Sequence, residues 1–248
     1  MKQYFFLLLF WAISAKAQVR IHSHNDYEQE IPLFNAIQQK AWCIEADIFP
    51  MHDTLWVAHD KSQINPMRTL DKMYLDPIDS MFRTHHGTIS EDSSYHPVLM
   101  IDIKELPAEA IRLLSKKLME RKSAFGTKKN PGAMKVMISG ERGAIEDWTK
   151  YPAYIFIDGR PYETYNTKTL KKVMMISDNY YHYVRLDRPG ELDSLETAIR
   201  KIHNLRKPVR FWAAPDSPMQ WSLLIHLGVD IISTNRVAEC RQFLDARR

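Results

Sequence analysis

The chain has 248 residues, 45% of them hydrophobic and 26% charged, with a formal net charge of +4. That length suits one large domain, and so mild a charge makes no case for nucleic-acid binding, which needs a basic face to meet phosphates. Cysteine use is sparse, Cys43 and Cys240 only.

The N-terminus reads as a secretory signal. Lys2 gives a positive start, Tyr4 to Ile13 is apolar, and Ala15-Lys16-Ala17 supplies small residues at a cleavage site. An apolar run of about ten residues falls short of the ~20 that span a bilayer. The expectation is a signal over 1–17, a single domain over 18–248, a secreted or periplasmic protein and no stable membrane span after cleavage. Losing Lys2 and Lys16 takes the formal charge from +4 to +2.

Strand-like runs then recur along the chain: 19–22 (VRIH), 41–49 (AWCIEADIF), 98–104 (VLMIDIK), 134–139 (MKVMIS), 154–158 (YIFID), 183–187 (YVRLD), 209–214 (VRFWAA) and 229–234 (VDIIST). Helix-like stretches such as IPLFNAIQQK, AEAIRLLSKKLMERK and LDSLETAIRKIHNL lie between most of them. LWVAH (55–59) follows the second run without a helix and reads as a hairpin-like excursion, and 61–97 reads as a long irregular polar loop. Eight strand–helix repeats predict a parallel sheet under helices. With no Gly-rich phosphate loop after the first strand, the α/β fold expected is a single-domain TIM (β/α)8 barrel rather than a doubly wound sheet.

Active sites of such barrels sit at the C-terminal rim. Alternation along a strand puts Glu45 and Asp47 on one side, and Asp102 and Lys104 on one side of the next run. Inward carboxylates crowded at a rim repel one another unless a cation lies between them, and three oxygen ligands suit one divalent cation, Mg2+ or Ca2+. His24 ends the first run and His59 ends the excursion. Imidazoles flanking such a site can serve as base and acid because they titrate near working pH.

HSHND, IEADI, LWVAHD, MIDIK and GVDIISTNR, in that order, resemble the PLC-like phosphodiesterase superfamily. Its members include glycerophosphodiester phosphodiesterases, phosphatidylinositol phospholipases C and the sphingomyelinase D type of enzyme. The resemblance implies cleavage of a small-molecule or lipid phosphodiester with one divalent metal. It implies Glu45, Asp47 and Asp102 as metal ligands, Lys104 as the phosphate holder and His59 as one catalytic histidine. The other is His22 or His24, which share a side, His24 being nearer the rim. Asn25 would donate to a phosphate oxygen or ligate the metal. Glycerophosphodiesterases usually follow the first histidine with arginine, whereas HSHNDYEQEIP sits closer to a branch that carries SHNDY.

Two further candidates for the substrate mouth are Trp212 in VRFWAA and Arg185 in YVRLD. Cys43 shares the parity of Glu45 and should point into the barrel, while Cys240 lies in a final outer helix, so no disulfide joins them. Two other readings compete. A barrel glycoside hydrolase would need carboxylates on later strands, where Asp158 and Asp187 are the main offerings, and a non-catalytic ligand-binding barrel would need none.

Overall fold

A computed structural model describes residues 18–126, 132–185, 187–188 and 192–247; the segment 1–17, expected to be a signal, lies outside the described residues. Nine strands form one sheet: β1 Arg20–Ser23, β2 Cys43–Met51, β3 Thr54–Val57, β4 Val98–Ile103, β5 Lys135–Gly140, β6 Ile155–Gly159, β7 Val173–Asn179, β8 Val209–Trp212 and β9 Ile231–Thr234. The order β1-β9-β8-β7-β6-β5-β4-β2, with β1 also paired to β2, closes eight parallel strands into a barrel. The TIM barrel expected from the strand–helix repeats is therefore present.

The strands are apolar on both faces because both faces are buried. On β2, Ile44, Ala46 and Ile48 point out to the helical layer, and Cys43, Glu45 and Asp47 point in. Below the rim, Cys43, Val98, Met100, Met137, Met175 and Ile231 plug the barrel as a separate inner cluster. Outside, Ala110, Leu113, Leu114 and Leu118 of α3 (Pro107–Glu120) belong to the main core. The other helices are α1 Phe34–Gln38, α2 Asp76–Thr84, α4 Lys122–Phe125, α5 Thr167–Lys172, α6 Asp193–Asn204, α7 Pro218–His226 and α8 Val237–Asp245.

LWVAH is the expected excursion: β3 is an antiparallel hairpin partner of β2. His52 and Asp53 both have positive φ (50° and 56°), the signature of a tight two-residue turn that suits strand twist. Cys43 and Cys240 are both buried and free, one inside the barrel and one in α8.

Three expectations need correction. The stretch 61–97 is not irregular throughout: a π-turn over Asp71–Leu75 runs into α2, burying Tyr74, Leu75, Ile78 and Phe82. Pro77 disguised it, although proline is welcome in a helix's first turn. Among its described residues, the run 183–187 is no strand. The sixth barrel strand is β7, over 173–179, which follows α5 directly at Val173. With no turn residue between Lys172 and Val173, its apolar run reads as a continuation of the helix. Finally, a 3-10 segment, Ile145–Lys150, replaces a helix between β5 and β6.

Candidate active site

Parallel register carries the inward acids of two neighbouring strands to one level. Asp47 on β2 pairs with Asp102 on β4, and a ligand atom of each, with one of Glu45, lies within 4.8 Å of the others. Gly140 on β5 makes room: at φ 65° it has no Cβ to collide with Asp102 Oδ1.

The two oxygens of Asp47 differ sharply. Oδ2 accepts from Lys104 Nζ (2.7 Å), Tyr27 OH (2.8 Å) and His59 Nδ1 (3.1 Å). Oδ1 is buried without a hydrogen-bond partner among the described residues. A buried carboxylate oxygen left unpaired beside two more carboxylates is costly unless something positive meets it. The donor set is all oxygen, the chemistry of a hard divalent cation, so these residues fit Mg2+ or Ca2+.

Electrostatics point the same way. Burial, followed by the charges of Glu45 and Asp47, pushes Asp102 up to about 7, with Lys104 pulling the other way. Burial and the Glu45 charge also raise Asp47. Glu45 goes the other direction: burial opposes its charge, but the His22 hydrogen bond and the Arg210 charge hold it well below the usual carboxylate range. His22 Nε2 lies 2.5 Å from Glu45 Oε2, and Arg210 Nη1 is 3.0 Å from His22 Nδ1. Burial, then Arg210, lowers the His22 imidazole to about 4.

The two candidates for the first histidine thus have different surroundings. His22 is fully buried against Glu45. His24 is half-buried at the rim, its ring 6.4 Å from that of His22. Its Nδ1 is 2.8 Å from Asn235 Oδ1, which assigns the proton to Nδ1 and leaves Nε2 as an acceptor. Asn235 is itself held through its backbone N–H by Asp216 Oδ2 (2.8 Å), whose other oxygen accepts from Trp221 Nε1 (2.9 Å). His59 is exposed, and its Nδ1 contact with Asp47 likewise leaves Nε2 free to face outward.

Asn25 begins the turn after β1 in the left-handed region (φ 45°), which asparagine tolerates. Next to it, buried Asp26 ties the loop down. It accepts from Ser23 Oγ (2.8 Å), the Leu33 backbone N–H (2.6 Å) and Tyr74 OH (2.9 Å). Trp212 is half-buried on β8, with the guanidinium of Arg160 stacked 4.8 Å from its ring centroid and that of Arg210 at 5.9 Å. Arg160 donates to Asp158 Oδ2 (2.8 Å), Ser177 Oγ (3.2 Å) and Ser139 Oγ (3.2 Å), so the far wall of the barrel is a closed ionic network. Burial opposes the Asp158 charge, but Arg160 and Arg210 hold that carboxyl below its ordinary value.

Arg185 does not join the cluster. It lies exposed after β7 in a two-bond pair with Asp187 (2.9 and 2.7 Å), so it is a surface residue rather than part of the mouth. Four residues at the centre went unnoticed in the sequence: Tyr27, Arg160, Arg210 and Asn235. Arg210 had a signal, since it alternates with Trp212 on one strand; Tyr27 and Asn235 sit in turns, where no periodicity points.

The model of the AIM6-like phosphodiesterase domain matches residues 13–141, just over half of the chain. The chain belongs to the AIM6-like phosphodiesterase family. The matched stretch holds His22, His24, Glu45, Asp47, His59, Asp102 and Lys104, whereas the Asp158–Arg160 wall and Asn235 lie beyond it. An altered inheritance of mitochondria protein 6 homolog from Arthroderma benhamiae is 25% identical over 88% of this chain and 82% of its own length. The Saccharomyces cerevisiae protein of that name is 38% identical over 60 residues, 23% of this chain and 15% of its own length. Among solved structures, a glycerophosphodiester phosphodiesterase from Parabacteroides distasonis superposes with a TM-score of 0.63 at 17% identity, covering 94% of this chain and 99% of that one. An Oleispira antarctica phosphodiesterase, solved with its product sn-glycerol-3-phosphate, gives 0.56 at 11% identity, covering 91% and 96%. These structures share the barrel fold of this chain.

Proposed function

We propose that this chain is an exported, metal-dependent phosphoric diester hydrolase acting on glycerophosphodiesters or phospholipid headgroups. The observation that carries the proposal is the unpaired, buried Oδ1 of Asp47, a residue clustered with Glu45 and Asp102 and paired through Oδ2 with Lys104. Glu45, Asp47 and Asp102 would hold one Mg2+ or Ca2+, which supplies positive charge where phosphoryl oxygens gain negative charge.

The protein's own groups do the rest. Lys104, its side chain 23% exposed, can turn its Nζ from Asp47 to a phosphoryl oxygen. His24 Nε2, its tautomer set by Asn235, is the base that takes the proton of the attacking hydroxyl. His59 is the acid that protonates the leaving oxygen from Nε2, with Asp47 steadying the ring through Nδ1. His22 supports Glu45 from below rather than meeting substrate. Asn25 and Trp212 border the mouth, as donor and as wall. The glycoside-hydrolase alternative lacks support: Asp158 is committed to Arg160, Ser139 and Ser177, and Asp187 is paired on the surface.

A panel of glycerophosphodiesters, phosphoinositides and sphingomyelin, followed by phosphorus NMR, tests the activity. Cleavage should stop in chelator and return with Mg2+ or Ca2+; turnover indifferent to chelator would sink the metal assignment. Export is tested by the mass of the secreted protein, expected to begin at Gln18.

A further inference from the structure

In the SHNDY stretch His24 and Asn25 have tasks and Asp26 ties the loop down, which leaves Tyr27. Its ring is buried in the main core, on the 3-10 turn Asp26–Glu28 that follows β1. Arg68 pins the residue: its guanidinium donates to Tyr27 O and lies 5.5 Å from the ring centroid. A buried tyrosine hydroxyl needs an acceptor, and the one that Tyr27 OH has is a carboxylate of the acidic cluster, Asp47 Oδ2 at 2.8 Å.

Asp47 Oδ2 is the meeting point of three donors from three loops: Lys104 after β4, His59 after β3 and Tyr27 after β1. Two of the three have work elsewhere in the reaction proposed above. Lys104 turns to a phosphoryl oxygen, and His59, its side chain 54% exposed, gives up a proton from Nε2. Tyr27 is buried, uncharged and pinned, so it stays on Oδ2 throughout. Turning the carboxyl plane of Asp47 would break that bond, so the bare Oδ1 stays available to the cluster of Glu45 and Asp102. The Tyr27 hydroxyl is also 3.4 Å from His59 Nδ1, and with both donors converging on one oxygen it limits where the imidazole can rest.

We propose that Tyr27 is a positioning residue: it fixes the Asp47 carboxylate for a divalent cation and sets the resting place of the His59 ring. Removing a group that holds a metal ligand from behind costs roughly ten- to a hundredfold in metal affinity or turnover. The inference rests on the metal-dependent diesterase reading above, yet cation binding needs no substrate, so the two can fail separately.

The test compares Tyr27→Phe with Tyr74→Phe. Each removes only a hydroxyl from a buried ring, and each hydroxyl donates to a buried carboxylate, but Tyr74 OH serves Asp26 Oδ2 (2.9 Å), outside the acidic cluster. Thermal melts begun in chelator and carried through a titration of Mg2+, with Ca2+ in parallel, give each protein an apparent dissociation constant from the rise in Tm. That constant should grow about tenfold in Tyr27→Phe and stay within about twofold of wild type in Tyr74→Phe. At saturating cation, on any diester that wild type cleaves, kcat of Tyr27→Phe should fall about tenfold with KM nearly unchanged. A Tyr27→Phe constant less than about threefold above wild type overturns the proposal, as does an equal change in Tyr74→Phe. A Tyr27→Phe chain that fails to fold in chelator overturns it too, because the hydroxyl would then be structural. Wild type that binds cation and cleaves no diester would remove the proposed activity and leave Tyr27 to be decided by the melts. Wild type indifferent to both cations would remove the metal assignment and this inference with it.

Discussion

Asp102→Asn separates what the acidic cluster costs from what it does. In wild type without metal, Asp102 titrates at about 7 against an ordinary 3.8. The folded state therefore holds the Asp102 proton more tightly than the unfolded state does. Stability is unaffected below about pH 4, falls as pH rises toward 7, and above 7 carries the full penalty. Three units at about 1.4 kcal/mol each amount to about 4 kcal/mol. Asparagine removes the charge while nearly keeping the shape. That shift already includes the attraction to Lys104, 3.7 Å away, so the variant in chelator should be about 3–4 kcal/mol more stable than wild type at pH 8. For a domain this size that is roughly 5–15 °C in Tm. At pH 4 the two should melt together. Addition of Mg2+ or Ca2+ should raise wild-type Tm and leave the variant almost unmoved. Thermal melts at both pH values, with and without cation, read all of this. A variant less stable than wild type at pH 8 in chelator, or one that still gains from cation, would refute the reasoning.

His24→Ala and His59→Ala should each lower kcat by about 10²–10⁴ on whichever diester is turned over; because His59 is exposed, His59→Ala should leave the melting temperature unchanged. Asp26→Ala strips three buried donors of their acceptor and should cost about 3 kcal/mol in urea unfolding, with Tyr74→Phe costing about 1. Thiol reagent should find no reactive cysteine in the folded protein and two after unfolding, since Cys43 and Cys240 are buried and free; a count of zero after unfolding would mean a disulfide.

The barrel was legible because parallel strands buried on both faces leave continuous apolar runs, and because parity alone puts Glu45, Asp47 and Asp102 on the inner face. Parity could not separate His22 from His24, since both share a side; what separates them is depth, set by the β1–β2 register that pairs His22 with Cys43. β7 was hidden because helix and strand join at Lys172–Val173 without a turn residue, and misplacing it put Arg185 on a strand it does not occupy. Tyr27, Asn235 and Arg160 reach the centre from turns, by contacts between residues up to 211 apart in the chain, as for His24 and Asn235. No local pattern encodes such meetings.

The seam between β1 and β9 has a consequence for biogenesis. The His24 backbone N–H reaches Thr234 O (3.0 Å), its ring reaches Asn235, and Gln29 Nε2 donates to Asn235 O (2.8 Å). His59, by contrast, rides on a hairpin beside its own carboxylate. A chain emerging N-terminus first can assemble the acids and one imidazole early, but the second imidazole gains its anchor only when the last strand zips against the first. Until its two ends have met, such a chain holds an incomplete cluster.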